Sequence, residues 1–138
     1  MHLPNLELRK ADITAGPVEP GSFDVVTARA VLHHIADAER AIANLVASLR
    51  PGGAILLIEP DFLPVTIAEP SEVRAFWSGW LAWSRDRGID YQIDRTLAPR
   101  LAALGLEQIG GMWKPQSTTG PVCGQIIGHR PSKSLVRT

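Results

Sequence analysis

Two adjacent histidines, His33 and His34, stand in the stretch Val31-Leu32-His33-His34-Ile35. An imidazole titrates near neutral pH, so it can take a proton from a phenol or hydroxyl as that group attacks an electrophile. The plainer use of such a pair is packing, with one ring beneath the loop and the other in solvent. A metal site from His33, His34 and Asp37 is disfavoured, because neighbouring histidines on an extended loop point apart and no third ligand has a standard spacing. Asp12 follows a strand-like run, at the sheet end where ligands collect in open α/β folds. An aspartate there also serves to satisfy its own turn. Trp77, Trp80 and Trp83 are spaced three apart and so lie along one slowly drifting helical face. Such a stripe either fills a core or walls a pocket for a flat apolar molecule.

The elements that must position these residues read out in order. Leu6 and Leu8 alternate with Glu7 and Arg9, which predicts a half-buried strand over Leu6 to Lys10. A loop with Pro17, Pro20 and Gly21 follows, then a second strand over Phe23 to Ala28. Asp37 is the expected N-cap of a helix whose apolar face carries Ile42, Leu45, Val46 and Leu49. Arg50-Pro51-Gly52-Gly53 closes that helix and opens a strand, so it reads as a cap and not as a ligand-cradling loop, which would follow a strand and open a helix. Ala54 to Ile58 is continuously apolar, as in a strand covered on both faces. Strand, helix and strand make a βαβ unit with a right-handed crossover. A helix is expected from about Ser71 to Arg87, with Val73, Phe76, Trp77, Trp80, Leu81 and Trp83 as its apolar stripe and Gly88 as its stop. A shorter helix is expected over Thr96 to Leu104, with Pro99 in its first turn and Gly105 as its cap. Leu106 to Trp113 and Val122 to His129 read as two last strands, joined by a Pro/Ser/Thr/Gly loop. The tail from Pro131 to Thr138 is expected to fray.

Composition bounds the partners. The 138 residues form one domain by length, with 45% hydrophobic and 20% charged residues. Fourteen basic and 14 acidic residues balance to a net charge of zero, which gives no footing for nucleic acid. The single Cys123 rules out an internal disulfide framework, and no signal peptide or bilayer-length apolar run is evident. A cytoplasmic protein with no membrane or nucleic-acid partner is the expectation.

Taken together, Ala11-Asp12-Ile13, Ser22-Phe23-Asp24-Val25-Val26, Val31-Leu32-His33-His34-Ile35 and Leu49-Arg50-Pro51-Gly52-Gly53 resemble the C-terminal two thirds of a class I S-adenosylmethionine-dependent methyltransferase of the small-molecule branch. The resemblance implies an α/β, Rossmann-like three-layer sandwich with strand order 3-2-1-4-5-7-6, here truncated to strands 3 to 7. Leu6 to Lys10 would be strand 3, and strands 1 and 2, with their glycine-rich loop and ribose-binding acid, have no counterpart. The chain is thus expected to be a single partial domain over 1–138, with a helical lid inserted at about 64–94. The resemblance further implies S-adenosylmethionine as cofactor, with Asp12 and the Ile13 backbone reading adenine and Ala28 and Arg29 against the methionine end. Asp24 would be structural. His33 or His34, with the post-strand Asp61, would serve as base in transfer to an O, N or C nucleophile of a small molecule, and Phe62, Trp77 and Trp80 would wall the acceptor.

Three other readings stay open. The chain could be a non-catalytic remnant or assembly module, whose exposed strand edge pairs with a second copy in a strand-swapped homodimer. It could also start at an internal methionine of a longer protein. A nucleotide-binding dehydrogenase fits less well, since its glycine loop is missing too.

Overall fold

The computed structural model describes residues 4–67, 70–115 and 122–132. The βαβ unit forms as the sequence predicts. Strand β1 (Phe23–Arg29) leads through a 3₁₀ turn at Leu32–His34 into helix α1 (Ala38–Ser48), which returns to strand β2 (Leu49–Asp61). Asp37 caps α1, its carboxylate accepting the Arg40 N–H at 3.1 Å. Ala41, Ile42 and Val46 are buried on the inward face of the helix. The glycine turn that starts β2 has a structural cause. Gly52 has a φ of +82°, and a Cβ on Gly53 would come within 3.0 Å of the Phe23 and Asp24 carbonyl oxygens. Only glycine lets β2 enter the sheet this close to β1.

The sheet order is β1-β2-β4-β3, with β3 (Glu107–Pro115) and β4 (Val122–His129) as the last two strands. β1 pairs parallel with β2, Ala28 lying beside Leu57. β4 runs antiparallel on the other side of β2, with Glu59 opposite Gly124, and β3 pairs antiparallel with β4. This is the 4-5-7-6 run of the expected order. Helix α2 (Ser71–Arg85) and helix α3 (Asp94–Ala103) fill the connection from β2 to β3.

The core lies on one face of the sheet, where Ile42 of α1 and Leu97 and Leu101 of α3 meet Leu49, Ile55 and Leu57 of β2. Along β2 the inward positions Ile55, Leu57, Glu59 and Asp61 are buried, while Ala54, Leu56 and Ile58 on the other face are half-buried. Double-sided burial, expected from the unbroken apolar run, is therefore incomplete: Val25 and Ile127, which flank that outer face, are 61% and 43% exposed.

Three expectations need correction. Leu6 to Lys10 does not form a strand, and Leu6 and Leu8 are 56% and 88% exposed. Alternation alone cannot hold a strand that finds no ladder partner, and β1 remains the edge of the sheet among the described residues. Helix α3 begins at Asp94, so Pro99 falls in its second turn, where proline has no N–H to give to the helical ladder. On α2 the inward positions are Trp77, Trp80, Leu81 and Ser84, whereas Phe76 and Trp83 face outward at 64% and 46% exposure. Gly88 and Gly105 do end their helices, with φ of +75° and +80°. The loop over 116–121 and most of the expected frayed tail, 133–138, lie outside the described residues.

Candidate functional site

At the C-terminal end of β1 the chain turns sharply. Ala30 takes a φ of +51°, and its N–H donates to the Ile58 carbonyl at 2.8 Å. The next three residues curl over the end of β2 and aim their N–H groups at Glu59. Val31 and Leu32 donate to Glu59 Oε1 at 3.0 and 2.9 Å, and the His33 N–H approaches Oε2 at 3.5 Å. The His33 ring closes the arrangement, its Nδ1 lying 2.6 Å from Glu59 Oε2. Both side chains are buried, Glu59 wholly and His33 at 4% exposure.

The electrostatics follow from this geometry. Burial works against a charge on Glu59, but the His33 hydrogen bond and the Leu32 and Val31 N–H donors outweigh it and hold the carboxyl below its ordinary range. An ionised carboxylate only accepts, so it assigns the proton of a neutral His33 to Nδ1 and leaves Nε2 as the lone-pair nitrogen. That tautomer and fixed orientation are what a general base requires. The His34 ring sits 3.9 Å from that of His33 and is exposed. Partial desolvation and the neighbouring His33 lower its pKa, with Glu59 opposing.

Tyr91 roofs the pair. Its ring centroid is 5.0 Å from His33, 6.2 Å from His34, 4.7 Å from Phe62 and 6.2 Å from Trp80. Two backbone bonds pin this segment over the turn: Asp90 N–H to the His33 carbonyl at 2.9 Å, and Phe62 N–H to the Tyr91 carbonyl at 3.1 Å. Trp77 packs on Phe62 at 5.4 Å, and Trp80 stacks on Trp83 at 5.3 Å. Phe62, Trp77 and Trp80 are therefore joined to the histidines through Tyr91. Trp83 turns outward, with the Arg87 guanidinium 4.1 Å over its ring.

Asp61 takes a different part from the one anticipated. It is fully buried, accepts the Leu63 N–H at 2.9 Å and is clamped by Arg95 through Nε at 2.9 Å and Nη2 at 2.7 Å. This ion pair anchors the start of α3 to the end of β2, and Glu59 is the acid that meets the histidine. Asp24 forms an exposed ion pair with Arg50 beside the glycine turn, in keeping with a structural role.

Asp12 is exposed. Its Oδ1 accepts both the N–H and the hydroxyl of Thr14, at 2.9 and 2.7 Å, and these bonds hold its carboxyl below the usual range. Ile13 is half-buried, and its carbonyl accepts Asn44 Nδ2 at 2.6 Å, which ties this loop to α1. Ala28 is half-buried and Arg29 exposed, at the same sheet end as Glu59 and Asp61. Among the described residues, no three His, Cys, Asp or Glu side chains gather as metal ligands, and no helix is long and apolar enough to cross a membrane.

Glu59 and Tyr91, which surround the histidines, were missed by sequence reasoning. Glu59 did carry a signal, since it shares the period-two face of Leu57 and ends an apolar strand. Tyr91 lies in an irregular segment and offered none.

Residues 1–57 match a family described as a methyltransferase domain. An uncharacterized 37.1 kDa protein in a transposon of Streptomyces fradiae is 41% identical over 69 residues, which are 50% of this chain and 20% of that protein. The polyketide synthase-like protein Preu9 of Preussia isomera is 28% identical over 149 residues, covering 99% of this chain and 7% of that protein. The chain thus spans a fifth or less of the length of these two relatives. Among solved structures, a phosphoethanolamine N-methyltransferase of Haemonchus contortus in complex with S-adenosylhomocysteine superposes with a TM-score of 0.65 at 14% identity, over 88% of this chain and 36% of that one. The CurJ carbon methyltransferase superposes with a TM-score of 0.60 at 20% identity, over 88% of this chain and 34% of that one. The fold of the chain is that of the class I S-adenosylmethionine-dependent methyltransferases.

Proposed function

We propose that this chain, with its class I methyltransferase fold, forms the acceptor side of a site that transfers a methyl group from S-adenosylmethionine to a small molecule, and that the accepting atom is a carbon between two carbonyl groups. The observation that carries this reading is the buried His33–Glu59 pair at 2.6 Å. Such a carbon is a weak acid, and removing its proton is the step in which a base helps most. The likeness to a polyketide synthase-like protein and to a carbon methyltransferase supports the same acceptor class.

In this reading Nε2 of His33 takes the proton from the acceptor carbon. Glu59 fixes the ring through Nδ1 and stabilises the imidazolium that forms. Phe62, Trp77, Trp80 and Tyr91 hold the flat acceptor and keep water away. The solvent-facing His34, with its lowered proton affinity, is the weaker of the two candidate bases. Asp12 and the Ile13 backbone would hold the adenine end of the cofactor, and Ala28 and Arg29 its methionine end. Asp12 is exposed with Oδ2 free of any hydrogen bond among the described residues, which supports this role. The bound cofactor supplies an electrophilic methyl group, and the protein contributes proximity, orientation and the base.

A second reading is favoured by the sheet itself. The outer edge of β1 has no strand beside it among the described residues, and Val25 is 61% exposed. A partner segment, or a second copy in a homodimer, completing that edge would also complete the cofactor site.

The test is transfer of labelled methyl from S-adenosylmethionine to an acetoacetyl thioester, beside calorimetric titration with S-adenosylhomocysteine. The reading expects label in the thioester and a loss of about 10²–10⁴-fold in His33→Ala. Label without dependence on His33 removes the base assignment. Cofactor binding without label removes the acceptor class.

A further inference from the structure

A third buried acid lies behind the pair, and the proposed reaction does not use it. Asp94 opens α3, is 1% exposed, and neither oxygen of its carboxyl has a hydrogen-bond partner among the described residues. It is seated in a notch of the sheet: a Cβ built on Gly124 would lie 2.0 Å from Asp94 Oδ2 and 2.3 Å from Oδ1. Gly124 is the ladder partner of Glu59. Directly opposed residues of an antiparallel pair point to one face with Cβ positions roughly 4.5–5.5 Å apart. The Asp94 carboxyl therefore fills the side-chain place next to Glu59, and Glu59 holds His33.

We propose that Asp94 is a positioning residue for the His33–Glu59 pair, its carboxyl supplying a second negative charge behind Glu59 that raises the proton affinity of His33. The proposal rests on reading His33 as the base. Among the described residues, the charged groups acting on Asp94 are Asp61 and Glu59 from β2 and Arg95 from its own helix, while Gly124 of β4 provides the notch. Arg95 is already engaged by Asp61. Burial, then Asp61, then Glu59 push the Asp94 carboxyl up to about 6, with Arg95 opposing. Glu59 and Asp94 are thus driven in opposite directions by their surroundings, the pattern that separates acid and base roles in paired carboxyls. The charge behind Glu59 switches on as pH rises through about 6. It is present at neutral pH, where the imidazolium must be stabilised.

Titration of the full chain by nuclear magnetic resonance tests this without cofactor or acceptor, following the Asp94 carboxyl carbon and the His33 ring carbons. The expected Asp94 midpoint is near 6. In Asp94→Asn the His33 midpoint should fall, the direction expected when a negative charge behind Glu59 is removed. Gly124→Ala, which drives the carboxyl out of its notch, should move the His33 midpoint the same way. A His33 midpoint unmoved in both variants overturns the proposal. An unmoved midpoint in a protein that transfers methyl sinks the role of Asp94 alone. A shifted midpoint in a protein that transfers none sinks the methyl-transfer reading alone.

Discussion

Neutralising Asp94 should make the protein more stable at neutral pH. The carboxyl is 1% exposed and has no hydrogen-bond partner among the described residues, so its charge is poorly compensated in the native state. Its pKa rises from 3.8 unfolded to about 6 folded. A rise of about two pH units, at about 1.4 kcal/mol each, is about 3 kcal/mol of native-state destabilisation once the group is fully ionised. The sign follows from proton counting. Between 3.8 and about 6 the native state holds the proton that the unfolded chain has lost, so the Asp94 contribution to stability declines as pH rises through this window. Asp94→Asn, which keeps the shape and removes the charge, should therefore gain about 3 kcal/mol at pH ~7.5 and only about 1 kcal/mol at pH ~4.5. Urea unfolding followed by circular dichroism at both pH values gives the two differences. A variant less stable than wild type at pH ~7.5, or a gain that does not depend on pH, would refute the reasoning.

Other substitutions probe the surrounding contacts. Glu59→Gln removes a charge that faces three N–H donors and the His33 ring, and should cost about 3–5 kcal/mol in the same assay. Because the Glu59 pKa is lowered on folding, its stabilisation should persist above the ordinary glutamate range and fade as pH falls through the lowered folded value, the slope vanishing in Glu59→Gln. Arg95→Ala leaves the buried Asp61 without its cation; with Arg95 partly exposed, the expected cost is about 2–3 kcal/mol, read from the shift in urea midpoint. Gly124→Ala places a methyl group 2.0 Å from the Asp94 carboxyl and should cost about 1–3 kcal/mol, less when combined with Asp94→Ala, as a double-mutant cycle would show.

The βαβ unit was legible because its signals are local. Asp37 caps α1, the glycine turn opens β2, and the apolar run of β2 sets the centre of the sheet. The strand expected at Leu6 to Lys10 failed for a nonlocal reason, since its alternation specifies a face but not a neighbour, and both leucines end up exposed. The candidate site was half legible. The histidines stood out by type, but their acid did not. Asp61 and Glu59 lie two residues apart on one face of β2, and only the curl of the Leu32–His34 turn decides which of them meets His33. Asp94 was invisible in the same way, because its burial depends on a glycine thirty residues further along the chain that faces Glu59 across the ladder.

The central claim is that Glu59 holds His33 as a base for a carbon acid. Deuterium uptake at the α-carbon of an acetoacetyl thioester in heavy water, without cofactor, tests it most directly. The account predicts exchange faster than buffer alone, abolished in His33→Ala and sharply reduced in Glu59→Gln at a pH where the variants remain folded. Exchange at the buffer rate in the wild-type chain, or equal exchange in all three proteins, would contradict it.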